Sequence, residues 1–389
     1  MELINLKKSF NEIYGVNCKN EIFCFHSPGR VNLIGEHIDY NGGLVFPCAL
    51  DFGIYGLVRQ NNSNRINLAS TNFDLKVSLD IDNIMYEKKD GWANYCKGVL
   101  KVMKDRGFTI KGMDILVSGD IPNGAGLSSS ASLEVLIGHI VNDLFNDCKI
   151  PMVDIVRLCQ KAENEFVGVN CGIMDQFAVG MGKMNKAILL DCNTLEYKYA
   201  DLDLKDYTLV LMNTNKIRAL NESKYNERRA ECDEALNTIK MKRHITNLCE
   251  ISKEEFIEYK KLFKKDIIRN RAEHVIHENE RVKNAYKALI EGDLGKFGDL
   301  LVKSHKSLKN LYEVTGIELD TIVEEALKVK ECIGARMTGA GFGGCAIAIV
   351  KKEAVNDFIT KVRIGYRETI GYEPSFYLSG IGGGTRKLS

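Results

Sequence analysis

The apolar residues of this chain change period several times along its length, and each change marks an element. Met113, Ile115 and Val117 occupy every second position of "MDILVSG", the spacing of a strand. After a Gly/Ser-rich stretch, Leu133, Leu136, Ile137, Ile140, Val141, Leu144 and Phe145 recur at helical spacing, which predicts a helix. The local order is therefore strand, loop, helix. Trp92, Cys96, Val99, Leu100 and Met103 share one face of a second predicted helix over 92–104. In the first sixty residues "VFPCAL" and "GIYGLV" read as two strands, and "YNGGLVF" carries an Asn-Gly turn signal. From about residue 217 to residue 332 the pattern is mostly helical, and "CAIAIVKKE" returns to strand.

No segment repeats at a fixed period. Five prolines and no low-complexity tract leave no flexible linker. The expected fold class is α+β, in two closely packed domains covering residues 1–200 and 201–389.

Composition narrows the function classes. Lys+Arg 53 against Asp+Glu 52 gives a formal charge of +1 in 389 residues, so no overall basic field argues for nucleic acid or an anionic membrane as partner. The basic runs "KMKR" and "KKLFKK" lie among acidic residues and read as solvated helix faces. Twelve cysteines are scattered with no C-x-x-C pair, the usage of reduced thiols rather than of a disulfide framework or a zinc site. The first residues lack the apolar core of a signal peptide, and no apolar run approaches the roughly 18 residues of a membrane span. The expectation is a cytoplasmic protein.

Three constellations carry candidate chemistry. "PNGAGLSSSASLEV", residues 122–135, places Gly124, Ala125, Gly126, Leu127, Ser128, Ser129 and Ser130 where a loop feeds a helix. Free N–H groups of a helix start bind phosphate together with the helix dipole, and serine hydroxyls can hold Mg²⁺. The stretch has no lysine, unlike the familiar nucleotide loop, and a plain turn before a buried helix fits it as well. "SPGRVNLIGEHIDYNGG", residues 27–43, delivers Glu36, His37 and Asp39 after an apolar run, with Arg30 upstream. These groups suit polyol recognition, because carboxylates accept from vicinal hydroxyls; a solvated turn is the alternative. "GARMTGAGFGGCAIAIV", residues 334–350, holds five glycines before a strand, which suits close backbone approach to a ligand or to another loop, with tight domain packing as the alternative. Asp175 in "CGIMDQF", taken alone, is more often a helix cap than a catalyst. His274 and His277 in "EHVIHE" lack the H-E-x-x-H spacing of a metal site.

Taken together, these segments resemble the galactokinase family of the GHMP kinase superfamily. "GRVNLIGEHIDYNGG" looks like its sugar signature, "GAGLSSSAS" like the superfamily phosphate loop, and "GARMTGAGFGGC" like the third motif. "AENEFVGVNCGIMDQFAVGMG", "SKYNERRAEC" and "RAEHVIHENERV" extend the likeness, collinear from about residue 20 to residue 350. The resemblance implies a two-domain GHMP architecture with the active site in the cleft between the domains. It implies transfer of the γ-phosphoryl of ATP to the C1 hydroxyl of α-D-galactose, with Mg²⁺ as cofactor. Galactose and ATP are the partners it implies, with no nucleic acid and no membrane.

By the same resemblance Asp175 and Arg30 are catalytic, and Glu36, His37, Ile38, Asp39, Gly172 and Tyr225 bind the sugar. Residues Gly124 to Ser130, with Ser70 of "ASTNF", bind ATP, and Ser130 and Glu163 bind Mg²⁺. N-acetylgalactosamine and arabinose kinases share the scaffold. So do galactose-sensing regulators without turnover, which carry a damaged phosphate loop; here Ser130 and Ala131 are present.

Overall fold

The computed structural model describes residues 3–17, 20–121, 126–216 and 221–389. The chain opens with α1 (Leu3–Tyr14), β1 (Phe23–Asn32), β2 (Leu44–Val45), β3 (Pro47–Gln60), β4 (Arg65–Ser70) and β5 (Val77–Asp80). It continues through α2 (Ala93–Asp105), β6 (Met113–Gly119), α3 (Ser129–Phe145), α4 (Met152–Ala162) and α5 (Met174–Met181). Three strands follow, β7 (Lys186–Asp191), β8 (Tyr197–Asp201) and β9 (Tyr207–Asn213). Next come the helices α6 (Asn221–Lys240), α7 (Lys253–Tyr259), α8 (Asp266–Ile290), α9 (Leu294–Ser307) and α10 (Gly316–Lys328). The chain closes with β10 (Cys332–Met337), β11 (Cys345–Lys351), α11 (Val355–Ile370), β12 (Ser375–Leu378) and β13 (Arg386–Lys387).

These strands form a six-stranded sheet ordered β13-β1-β3-β6-β4-β5, a four-stranded sheet ordered β10-β11-β9-β12 and a three-stranded sheet ordered β2-β7-β8. The two-residue period of the large sheet sorts its side chains. Cys24, Leu57 and Leu116 point to one face and pack under Leu6 and Phe10 of α1. Phe25, Val58 and Ile115 point the other way, into a core that also holds Leu136 and Ile140 of α3. That apolar core runs without a break into the four-stranded sheet and the helices that cover it. The last residues return to the first sheet: β13 pairs with β1, and Ile381 bridges to Leu50.

Helices α2 and α3 and strands β6 and β11 lie where the periodicity predicts them. The two strands expected at "VFPCAL" and "GIYGLV" are one, the fourteen-residue β3. Pairing continues because Gly53 lets the backbones nearly touch; a Cβ there would meet the Ser27 carbonyl oxygen at 2.1 Å. The irregularity is absorbed on β1, whose register shifts between Pro28 and Arg30. Helix α3 starts at Ser129, since Ser128 itself is left-handed with φ 62°. The long helical region corresponds to α6 through α10, residues 217–220 lying outside the described residues. Among the described residues no helix is long and apolar enough to cross a membrane.

Helix α1 depends on Phe10, which is fully buried beside the Tyr14 ring and under the Arg59 guanidinium. Phe10→Ala is expected to lower unfolding free energy by about 3–5 kcal/mol. Urea denaturation measures this, and an unchanged midpoint would show that α1 lies outside the cooperative fold.

Candidate active site

Strand β1 and helix α5 meet at the floor of a cavity of about 290 Å³. Arg30 donates from Nε to Asp175 Oδ1 at 2.8 Å and from Nη2 to Oδ2 at 2.6 Å, a two-pronged ion pair. Its third nitrogen, Nη1, donates to the Gly126 carbonyl at 2.9 Å. Burial works to lower the Arg30 pKa, but the Asp175 carboxylate, joined by Glu36 and Asp39, more than offsets it and leaves the pKa raised. The Ser128 hydroxyl also donates to Asp175 Oδ2. Asp175 sits in the first turn of α5, and its orientation is fixed by both partners.

The segment after β1 forms one wall, and the structure separates its four expected sugar ligands. Asp39 and Glu36 line the cavity with His37, whereas the Ile38 side chain is fully buried in the core. The Ile38 carbonyl accepts from Asn41 and Gly43. Ile38 thus anchors the loop in the core through its apolar side chain.

Glu36 is 1 % exposed. Its Oε1 accepts from Gly339 N–H at 2.8 Å, lies 3.0 Å from Thr338 Oγ1 and takes Arg336 Nη1 at 3.3 Å. Its Oε2 accepts from Asn32 Nδ2 at 2.7 Å, which leaves that oxygen one further acceptor position.

His37 is held at both ring nitrogens. Nε2 lies 3.1 Å from the Ala340 carbonyl, so it carries the proton, and Nδ1 accepts from the Tyr40 hydroxyl at 2.7 Å. Tyr40 then accepts from Tyr312 at 2.8 Å, and Tyr312 from the Cys232 thiol at 3.0 Å. Burial above all pushes the His37 pKa down to about 3, so the ring is neutral. His37 forms wall rather than a free hydrogen-bonding group, and its backbone is left-handed at φ 62°. Gly172 lies against Asp39, and any Cβ there would stand 1.9 Å from Asp39 Oδ2. Only glycine permits that approach. Tyr225 of α6 completes this side, with its ring 5.5 Å from Tyr40 and 5.7 Å from His37.

The start of α3 forms the opposite wall. Gly126, Leu127, Ser128, Ser129 and Ser130 all line the cavity; Gly124 and Ala125 lie outside the described residues. Glu163, in a π-helical turn after α4, lines it too. Ser70 does not reach the cavity: it ends β4, and its hydroxyl accepts from the Asn72 N–H.

Behind Glu163 lies a buried acid that sequence reasoning missed. Glu134, one helical turn after Ser130, is fully buried beside Glu163. Burial and then Glu163 raise the Glu134 pKa; burial and then Asp175 raise that of Glu163. The only signal in the sequence is an acid inside an apolar helix run. Tyr40, Tyr95 and Cys171 also line the cavity. His274 is held by Ser307 and the Glu36 carbonyl. Among the described residues no three His, Cys, Asp or Glu side chains converge to hold a metal ion.

The five-glycine segment does approach another loop. Gly339 and Ala340 line the cavity. Gly341, at φ 78°, packs so closely that a Cβ would stand 2.2 Å from the Val314 carbonyl oxygen.

With this geometry in place, comparison with known proteins is decisive. Residues 8–60 match the galactokinase galactose-binding signature, 94–183 the GHMP kinases N terminal domain and 285–368 the GHMP kinases C terminal region. The chain is 60% identical over 388 residues to a galactokinase of Clostridium tetani, covering 100% of this chain and 98% of that one. The chain belongs to the galactokinase family. A galactokinase of Clostridium beijerinckii is 54% identical, with full coverage of both chains. The crystal structure of Lactococcus lactis galactokinase complexed with galactose is 48% identical and superposes with a TM-score of 0.96, covering 99% of this chain and 100% of that one. Mevalonate kinase from Methanococcus jannaschii, 20% identical with a TM-score of 0.62 over 94% of this chain and 99% of its own, shares the fold. This galactokinase-family chain is an ATP-dependent sugar kinase of the GHMP fold.

Asp39 yields a test that needs no substrate. Burial, then Asp175 and, less, Glu36, push its pKa up to about 7, whereas an unfolded aspartate titrates near 3.9. Between those values the folded state binds more protons than the unfolded one, so the residue costs stability as pH rises and costs most above 7. Asp39→Asn is expected to raise the melting temperature at pH 8 and to leave it unchanged at pH 4. Thermal melts at both values decide, and a gain that is independent of pH would contradict the assignment.

Proposed function

We infer that the protein transfers the γ-phosphoryl of ATP to the C1 hydroxyl of α-D-galactose, giving galactose 1-phosphate and ADP. The single observation carrying this reading is the Arg30–Asp175 pair on the floor of a cavity with a polar wall on one side and the start of α3 on the other. The extensive identity to galactokinases supports the choice of sugar.

In this reading galactose lies against the polar wall, with hydroxyls donating to Asp39 and to the remaining acceptor position of Glu36, and Tyr225 covering the ring. His37 acts by shaping that wall, since both its nitrogens are engaged. The phosphates lie at the N-terminus of α3, where N–H groups and the helix dipole receive negative charge without a lysine. Asp175 accepts the C1 hydroxyl proton as the sugar oxygen bonds to the γ-phosphorus and the bond to ADP breaks. Arg30 holds that carboxylate and places positive charge beside the reacting groups.

We assign Mg²⁺ to Ser130 and Glu163. Two hard oxygen donors suit an ion that keeps its other positions for phosphate and water, and Glu163 stands among acids whose mutual repulsion a cation relieves. Bound there, Mg²⁺ would neutralise charge on the β- and γ-phosphates. Cys345 aside, ten cysteines of the described residues are free thiols, which supports a reducing, cytoplasmic setting.

Incubation with ATP, Mg²⁺ and galactose should yield galactose phosphorylated at C1, identified by phosphorus NMR; a C6 phosphate, or no ADP at saturation, would overturn the reading. Asp175→Asn should lower kcat by about a hundredfold to ten-thousandfold, while calorimetry still detects galactose binding. Near wild-type turnover would remove Asp175 from its role.

A further inference from the structure

Gln176 follows Asp175 in α5 and is fully buried. Its amide nitrogen donates to Glu163 Oε2 at 2.6 Å and to Glu134 Oε2 at 3.0 Å. Both hydrogens of the amide are therefore spent on carboxylates carried by two other elements. Its oxygen, Oε1, is buried with no hydrogen-bond partner, as is Glu134 Oε1. Turned the other way, the amide would give up both donated hydrogen bonds and set its oxygen against carboxyl oxygens, so its orientation is assigned from this network.

The three elements joined by this one side chain are those that carry the reacting groups. Glu134 lies four residues after Ser130 on α3, hence on the same helix face. Glu163 belongs to the π-helical turn, and Asp175 is the neighbour of Gln176 on α5. We propose that Gln176 is a positioning residue that sets Glu163 and, through Glu134, the start of α3 at Ser130 in fixed register with Asp175. This rests on the assignment of Ser130 and Glu163 as metal ligands made above. An unpartnered buried carbonyl is a cost that a packing role alone would not require, since leucine or methionine would fill the same volume. The amide is explained by the two carboxylates it orients, as outer groups orient metal ligands elsewhere.

The test is Mn²⁺ binding to the full-length protein with ATP and without galactose, so that no turnover occurs, read by electron paramagnetic resonance. Gln176→Leu keeps most of the volume and removes both donors. Gln176→Asn keeps an amide one methylene short of the two carboxylates. Both are expected to weaken Mn²⁺ affinity by roughly 10- to 100-fold, with galactose affinity by calorimetry within twofold of wild type and lost turnover partly recovered at high Mg²⁺. Unchanged Mn²⁺ affinity in the variants, beside normal binding by wild type, would overturn the proposal alone. Loss of galactose binding together with Mn²⁺ binding would make Gln176 a packing residue and overturn it as well. A wild-type protein that binds no Mn²⁺ with ATP would instead overturn the metal assignment on which the proposal stands.

Discussion

The Glu36 carboxylate, buried between β1 and the segment after β10, is the constraint on which the cleft depends. Arg336, fully buried on β10, reaches it and also donates to the carbonyls of Asn32 and Leu33. Thr338 and Gly339 close on the same carboxylate. A buried charge of this kind is tolerated only with its partners in place, and removing one partner typically costs about 3–5 kcal/mol. It therefore fixes the six-stranded sheet against the four-stranded one. His37 and His274 extend the join, since each donates to a carbonyl across the gap, Ala340 for the one and Glu36 for the other.

Once that join is made, the remaining polar groups of the cavity are crowded with acids. Burial and neighbouring carboxylates raise the pKa values of Asp39, Glu163 and Glu134, and Arg30 is committed to Asp175. Negative charge held this way in a partly dehydrated cleft favours ligands that bring hydroxyl donors or a divalent cation. A sugar and a metal-bound nucleotide have that character. The same crowding explains why neutral partners recur in the structure, with Gln176 between two carboxylates and Ser128 on Asp175.

Much of the fold could be read from the residues themselves. The alternation at 113–117 and the helical spacing at 133–145 report which face each side chain buries, a local property that survives without any knowledge of partners. The merger of two expected strands into β3 could not be read so. It depends on how near Gly53 comes to Ser27 on another strand. The site divides in the same way. Acids, arginine and a Gly/Ser loop announce themselves by type, but whether a group faces ligand or protein is a matter of neighbours.

The sequence by itself determined the periodic elements, the balance of charge and the residue types that can accept a hydroxyl, hold a phosphate or bind a hard cation. Those are properties of single residues and short spacings. Only the tertiary structure decided that Ile38 is core and that Ser70 stands clear of the cavity. It also decided that His37 has no nitrogen to spare and that most acceptor positions of Glu36 are already filled. The physical reason is that hydrogen-bonding capacity is finite and is claimed by whatever the fold brings within about 3 Å. Beside the local claimants Tyr40 and Asn32, His37 and Glu36 are claimed by Ala340, Arg336 and Gly339, some 300 positions away in the chain.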